Sequence, residues 1–301
     1  MRLGAVRHSG LVNVRLFVAP VALLLLSACT SSGGDATPAD PPATPAYTSY
    51  VALGDSYTAG PLIPNTDVTT GCFRSDSNYP SLLAEQLDIA EFTDVSCSAA
   101  TTLDLTGRQV VLSGGRVAPQ LDALREDTEL VTLGICGNDF GLFATLLNRC
   151  TAVAPANPAG APCAAELAST SLSADIRRIG ARVADAVTEI RTRAPEATVV
   201  LVGYLRLAPA TGTCEALPFA DGDYPLANRI STELRDAVRR AARVSDAEFV
   251  DAFAASRGHD ACSEQPWVNG GKTKRGRAFA YHPVAAGMRA VARLVADRLA
   301  G

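Results

Sequence analysis

Apolar runs rich in β-branched residues alternate along this chain with segments of helical period, and no other feature limits the fold as much. The runs lie at 50–53, 129–133, 198–202 and 248–250, with a weaker one at 92–95. Leu172, Ile176, Ile179, Val183, Val187 and Ile190 recur at helical spacing, as do Leu226, Ile230, Leu234 and Val238. Val284, Met288, Val291, Val295 and Leu299 repeat the pattern near the end. Strand alternating with helix predicts a parallel sheet covered on both faces. Right-handed crossovers make that a three-layer α/β/α sandwich. Residues 47–301 suffice for one such domain with a substantial core, and no internal repeat or second boundary is visible.

The segment ahead of that domain reads differently. Arg2, Arg7 and Arg15 form a basic start, and residues 16–26 are apolar apart from Pro20. That core is too short to span a bilayer comfortably, so residues 1–28 read as a secretory signal. It ends in Leu26-Ser27-Ala28-Cys29, which resembles a bacterial lipobox. In such signals the cysteine becomes the lipidated first residue, so Cys29 is expected to anchor the protein to a membrane surface. Residues 30–46 are rich in Ser, Gly, Pro, Thr and Ala, and with Cys29 they read as a lipidated, flexible tether over 29–46. The expected location is extracytoplasmic, on the membrane.

The net charge is −4, but the leader holds three of the 27 basic residues and no acid, leaving 24 basic against 31 acidic, or −7. A surface of that sign argues against nucleic acid as a partner. One basic cluster stands out: Lys272, Lys274, Arg275 and Arg277. It reads as a solvated loop more readily than as a site for an anionic head group. A monomer is expected.

Setting Cys29 aside, seven of the eight cysteines remain. Secretion permits disulfides. Six cysteines allow fifteen pairings in principle. Placement along the chain favours Cys72 with Cys97, Cys150 with Cys163 and Cys214 with Cys262. The middle pair brackets a Pro/Ala-rich stretch at 151–162. Cys136 is left over as a buried small hydrophobe. Zinc is disfavoured, because no C-x-x-C occurs and only three histidines are present. No metal or other cofactor is called for.

Directly after the first apolar run stands Gly54-Asp55-Ser56-Tyr57. A strand enters a tight turn there, and Ser56 falls at the carboxyl end of the strand, where open α/β sheets place their ligands. Such triplets are also ordinary turns, so the serine becomes a nucleophile only if a base lies near it. Of the three histidines, His8 lies in the leader, and His282 precedes Pro283 and the last helical pattern. The glycine elbow of the G-x-S-x-G hydrolases is missing, because Thr58 occupies its second glycine position. Two other loops follow strands: Ser96-Cys97-Ser98-Ala99-Ala100 and Gly134-Ile135-Cys136-Gly137-Asn138-Asp139. Ester cleavage by serine needs donors around a tetrahedral oxyanion. The N–H of Ser56, an N–H near Ala99 and the Asn138 amide would supply three. Asn138-Asp139 is equally readable as a helix cap.

These blocks resemble the SGNH (GDSL) hydrolases, matched in order across nearly all of 47–301. The blocks are Gly54-Asp55-Ser56-Tyr57-Thr58-Ala59-Gly60, Cys136-Gly137-Asn138-Asp139 and His282-Pro283. Cys72-Phe73-Arg74-Ser75, Tyr79-Pro80 and Pro266-Trp267-Val268 are similar to the secreted actinobacterial esterase and lipase branch. The resemblance implies a flavodoxin-like sheet, Ser56 as nucleophile, His282 as general base and Asn138 as an oxyanion donor. The chain departs from the pattern in three places. Ala99 replaces the second-block glycine, Cys136 replaces the first glycine of the third block, and Phe279 stands where the acid three residues before the histidine is usual. Some members of the branch use a main-chain carbonyl there, so the Phe279 carbonyl is expected to orient His282. Asp251 and Asp260 are the carboxylates that could replace it.

The expected function is a serine esterase or lipase of the cell envelope, acting on lipid esters or another acylated envelope component. Two alternatives stand beside it: a polysaccharide O-deacetylase, and a catalytically silent lipoprotein that binds acyl chains or glycans. A narrow polar pocket would favour deacetylation, and an apolar groove would favour lipids.

Overall fold

The computed structural model describes residues 46–301. The expected signal, the lipidated Cys29 and nearly all of the tether lie outside the described residues. In chain order the domain begins with β1 (Ser49–Gly54), α1 (Ser56–Ala59), β2 (Thr66–Asp67), β3 (Arg74–Ser75), α2 (Tyr79–Gln86) and β4 (Glu91–Asp94). It continues with β5 (Gln109–Val110), β6 (Arg116–Val117), β7 (Leu130–Gly134), α3 (Leu142–Val153), α4 (Pro162–Leu167) and α5 (Leu172–Arg193). It closes with β8 (Thr198–Val202), α6 (Tyr224–Val244), β9 (Glu248–Val250), α7 (Ala252–Ala255) and α8 (Ala285–Ala300).

Five strands pair in the order β4-β1-β7-β8-β9, all parallel. That is the flavodoxin-like order, and every expected strand is present. The chain runs from β1 outward to β4, then crosses back to the other side of β1. The crevice at the carboxyl ends of β1 and β7 is therefore the switch point where such sheets take ligands. The weak pattern of the second strand has a plain cause. β4 is an edge strand whose side chains alternate between exposed and half-buried, so it lacks the apolar run of the central strands.

Strand alternation divides the core into two layers. Val51, Leu53, Val131, Leu133, Val199 and Leu201 face a cluster that holds the apolar stripes of α3, α5 and α6. Tyr50, Ala52, Leu130, Val200 and Val202 face the other way, against Tyr79 and Leu83 of α2 and Met288, Val291 and Val295 of α8. The stripes of α5, α6 and α8 are the ones the periodicity picks out, and together with the sheet they make the three layers.

Two local expectations change. Helix α8 starts at Ala285 rather than at Pro283. Pro283 pairs with Val268 in an isolated β-bridge, and Val284 N–H donates to Trp267 O at 2.9 Å, so those residues are held extended. The stretch between Cys150 and Cys163 is not all loop, because α3 runs on to Val153 and α4 begins at Pro162. The three expected disulfides are present: Cys72–Cys97, Cys150–Cys163 and Cys214–Cys262. The middle one joins two helix ends. Cys136 is buried and unpaired among the described residues. Among these residues, no helix is long and apolar enough to cross a membrane.

Candidate active site

At the end of β1 the backbone has no room for a side chain. A Cβ on Gly54 would stand 2.2 Å from Thr58 Oγ1 and 2.6 Å from Gly134 O. The glycine is required by this close approach to β7. Asp55 N–H donates to Gly134 O at 2.9 Å, and Thr58 Oγ1 donates to the same carbonyl at 3.0 Å. Asp55 then caps the short helix α1 by accepting Tyr57 N–H at 2.8 Å. Ser56 is thereby fixed at the first helical position, above the switch point and 8% exposed.

His282 arrives from the far end of the chain. Its Nε2 lies 2.8 Å from Ser56 Oγ. Its Nδ1 lies 2.7 Å from the carbonyl oxygen of Ala280, which can only accept, so the proton sits on Nδ1 and Nε2 is free to take the serine proton. The expected Phe279 carbonyl is therefore corrected to Ala280. The reason is the turn. Phe279 O closes it by accepting His282 N–H at 3.3 Å, and it also accepts from Asn269 Nδ2 at 3.0 Å. It is occupied by those two donors. Tyr281 O takes the Tyr57 hydroxyl at 2.6 Å, which leaves the Ala280 carbonyl for His282. Asp251 and Asp260 are engaged elsewhere: Asp251 caps α7 through Ala254 N–H, and Asp260 accepts Cys262 N–H. His259 stacks on Trp267 and takes no part.

The imidazole is desolvated, which pushes its pKa below the usual 6.5, while the Ala280 carbonyl pulls it partly back. A neutral ring at pH 7 is what a base needs.

Three groups in these loops could serve as donors to an oxyanion. Among the described residues the N–H groups of Ser56 and Ala99 have no acceptor in the chain. Asn138 Nδ2 spends one hydrogen on Ala100 O at 2.9 Å, which turns the amide toward the Ala99 loop and leaves its other hydrogen available. Asn138 stands at the N-cap position of the short helical turn Asp139–Gly141, but its side chain makes no cap bond there. Its neighbour Asp139 is fully buried and bonds Thr102 N–H at 2.8 Å, Thr102 Oγ1, and Arg182 at 3.1 Å. It pins the third-block loop to the second. Ala99 has φ 68° and Cys136 φ 115°, so both stand where glycine would be unstrained. The Cys72–Cys97 bridge, two residues from Ala99, holds that loop.

Two supporting residues carry no signal in the sequence. Tyr204, just past β8, accepts Gly137 N–H at 2.6 Å and donates to Asp55 Oδ2 at 2.5 Å. It thus joins the serine turn to the Asn138 loop. Gln120 bonds both the N–H and the C=O of Gly54, at 2.8 and 2.9 Å. Neither lies in a motif; each is placed only by the packing. Asp55 is buried, and desolvation raises its carboxyl from 3.8 to about 7 against the pull of Tyr204 and Tyr57.

Ser56 and His282 open onto a cleft of about 260 Å³ between α3 and α6. Phe143, Leu147, Leu234, Val238 and Phe253 give it apolar walls. The basic residues 272–277 are exposed and do not line it.

Comparisons with known proteins show which family the chain belongs to. A lipase, Lipase 2 of Streptomyces coelicolor, is 41% identical over 251 residues, covering 81% of this chain and 82% of its own. An esterase of Streptomyces scabiei is 34% identical over 288 residues, covering 82% and 81%. The crystal structure of phospholipase A1 from Streptomyces albidoflavus superposes with TM-score 0.71 at 31% identity, covering 84% of this chain and all of that one. Residues 52–290 match the GDSL-like lipase/acylhydrolase family. The chain belongs to that family, and it is a serine ester hydrolase.

Proposed function

We propose that this protein hydrolyses lipid acyl esters at the outer face of the cell membrane, with Ser56 as nucleophile and His282 as general base. The observation that carries the reading is the 2.8 Å contact of Ser56 Oγ with His282 Nε2 at the mouth of an apolar cleft. Ser56 Oγ attacks the ester carbonyl as its proton passes to Nε2. The oxyanion is met by Ser56 N–H, Ala99 N–H and Asn138 Nδ2. His282 then protonates the departing alkoxide, leaving an acyl-serine. Water attacks that ester with His282 again as base, and the acid leaves. The Ala280 carbonyl holds the ring in its tautomer throughout.

The apolar walls favour acyl chains longer than acetyl and weigh against the O-deacetylase reading. The unpartnered oxyanion donors weigh against a silent binder. Three disulfides suit an oxidising compartment. Anchoring through a lipidated Cys29, with residues 30–46 as the tether, would keep the enzyme beside its substrate.

A fluorophosphonate probe and an aryl ester series from acetyl to octanoyl test this. Label on Ser56 and a rate that climbs with chain length, both lost in Ser56→Ala, are expected. Labelling elsewhere, or turnover confined to acetyl, would overturn the reading.

A further inference from the structure

Among the described residues five large apolar side chains are exposed, and four of them, Val68, Leu103, Val110 and Leu112, fall between 68 and 112. Two of these sit on the hairpin formed by β5 and β6. Val110 and Leu112 are each 58% exposed. Val110 lies directly across from Arg116, and Gln109 across from Val117. Opposed residues of an antiparallel pair share a face, and so do residues two apart. Val110 and Arg116 share one side, and Arg108 and Leu112, just outside the paired residues, are exposed beside them. Gln109, Val111 and Val117 make up the other, which packs on the Cys72–Cys97 bridge. Gln109 Nε2 donates to Ser98 O at 2.8 Å, one residue from Ala99. Neither arginine enters an ion pair among the described residues.

We propose that the outer face of this hairpin docks the enzyme on an anionic lipid surface, with Val110 and Leu112 entering the interface and Arg108 and Arg116 meeting the phosphates. An apolar tip flanked by unpaired cations is the chemistry such a surface selects. A second copy of the chain fits poorly. Self-pairing would bring like charges together, and a stable protein interface needs about 800 Å² per partner, far more than two side chains offer. A lipid surface needs no such area, because each side chain partitions on its own. The docked face is backed by the loop that presents Ala99, so docking sets the oxyanion side of the site next to the lipid. The inference goes beyond ester hydrolysis and does not depend on it, since binding is measured without turnover.

The test uses the mature chain from residue 29 onward, carrying Cys29→Ser throughout, so that neither the apolar leader nor a lipid anchor contributes. Its co-sedimentation is measured with phosphatidylglycerol/phosphatidylcholine vesicles and with phosphatidylcholine alone. Binding to the anionic vesicles that weakens with salt is expected. Val110→Ser with Leu112→Ser should lower partitioning at least about tenfold. Arg108→Gln with Arg116→Gln should lower it about fivefold per arginine and flatten the salt dependence. Thermal unfolding, and turnover of a water-soluble aryl ester, should match the parent in both variants. Equal vesicle binding by parent and variants would overturn the proposal. So would a gel-filtration shift in the apolar variant with vesicle binding unchanged, which would make the face a protein contact.

Discussion

Replacing Tyr204 by Phe deletes a single oxygen that accepts Gly137 N–H at 2.6 Å and donates to Asp55 at 2.5 Å. Tyr204 is a positioning residue, so two losses should separate. The first is stability. A buried polar group left without its partner costs about 1–3 kcal/mol, and bonds to charged groups lie at the upper end. The Asp55 carboxyl, 1% exposed, is raised from 3.8 to about 7, chiefly by desolvation. A raised folded value means the native state holds the proton after the unfolded chain has released it. The stability this contributes is full below about 4 and is lost as pH rises through about 7. The tyrosine limits that loss by bonding the carboxylate, and without it the value climbs further. At pH 5 the carboxyl is protonated in both proteins, and the variant forfeits only neutral bonds, about 1–2 kcal/mol. At pH 8 it forfeits a bond to a charge, and the deficit should be larger by about 1 kcal/mol or more. The second loss is catalytic. Gly137 N–H, once free, no longer holds the Asn138 loop, and kcat should fall about ten- to a hundredfold with KM within about twofold. Denaturant unfolding at pH 5 and pH 8, with disulfides intact, measures the first, and ester kinetics measure the second. Equal stability losses at both pH values, or lost stability with kcat intact, would refute the positioning role.

Asn138→Ala should keep its fold and lose about 10²–10³ in kcat, the usual effect of deleting one oxyanion donor; turnover near that of the parent would remove the amide from the oxyanion hole. The pH profile of kcat/KM should rise along a single limb with its midpoint below 6.5, because desolvation depresses the His282 imidazole and only its neutral form takes the serine proton. Activity is thus full above that midpoint and is lost as pH falls through it, and a midpoint above 6.5 would contradict the desolvated ring.

Local chemistry makes some elements legible in the amino-acid sequence by itself. Strands 198–202 and 248–250 and the stripes of α5 and α6 follow from periodicity, because burial against a sheet demands it. Ser56 can be named because a Gly-Asp-Ser turn after an apolar run is a backbone event. His282 can be named because only three histidines exist and one precedes the last helix. The disulfide pairs follow from placement along the chain. Tertiary structure decides what depends on directions rather than on residue types. Which carbonyl meets His282 Nδ1 is set by a turn that consumes Phe279 O and leaves Ala280 O free. Where the Asn138 amide points is set by its bond to Ala100, a residue far away in sequence. Tyr204 and Gln120 carry no motif; the first acts because β1, β7 and β8 lie side by side, and the second because the turn at 120–123 packs on β1. Sequence patterning reports what a residue must avoid or seek along its own segment. Hydrogen-bond partners across the switch point are fixed only when separate segments converge, and no local pattern records that convergence.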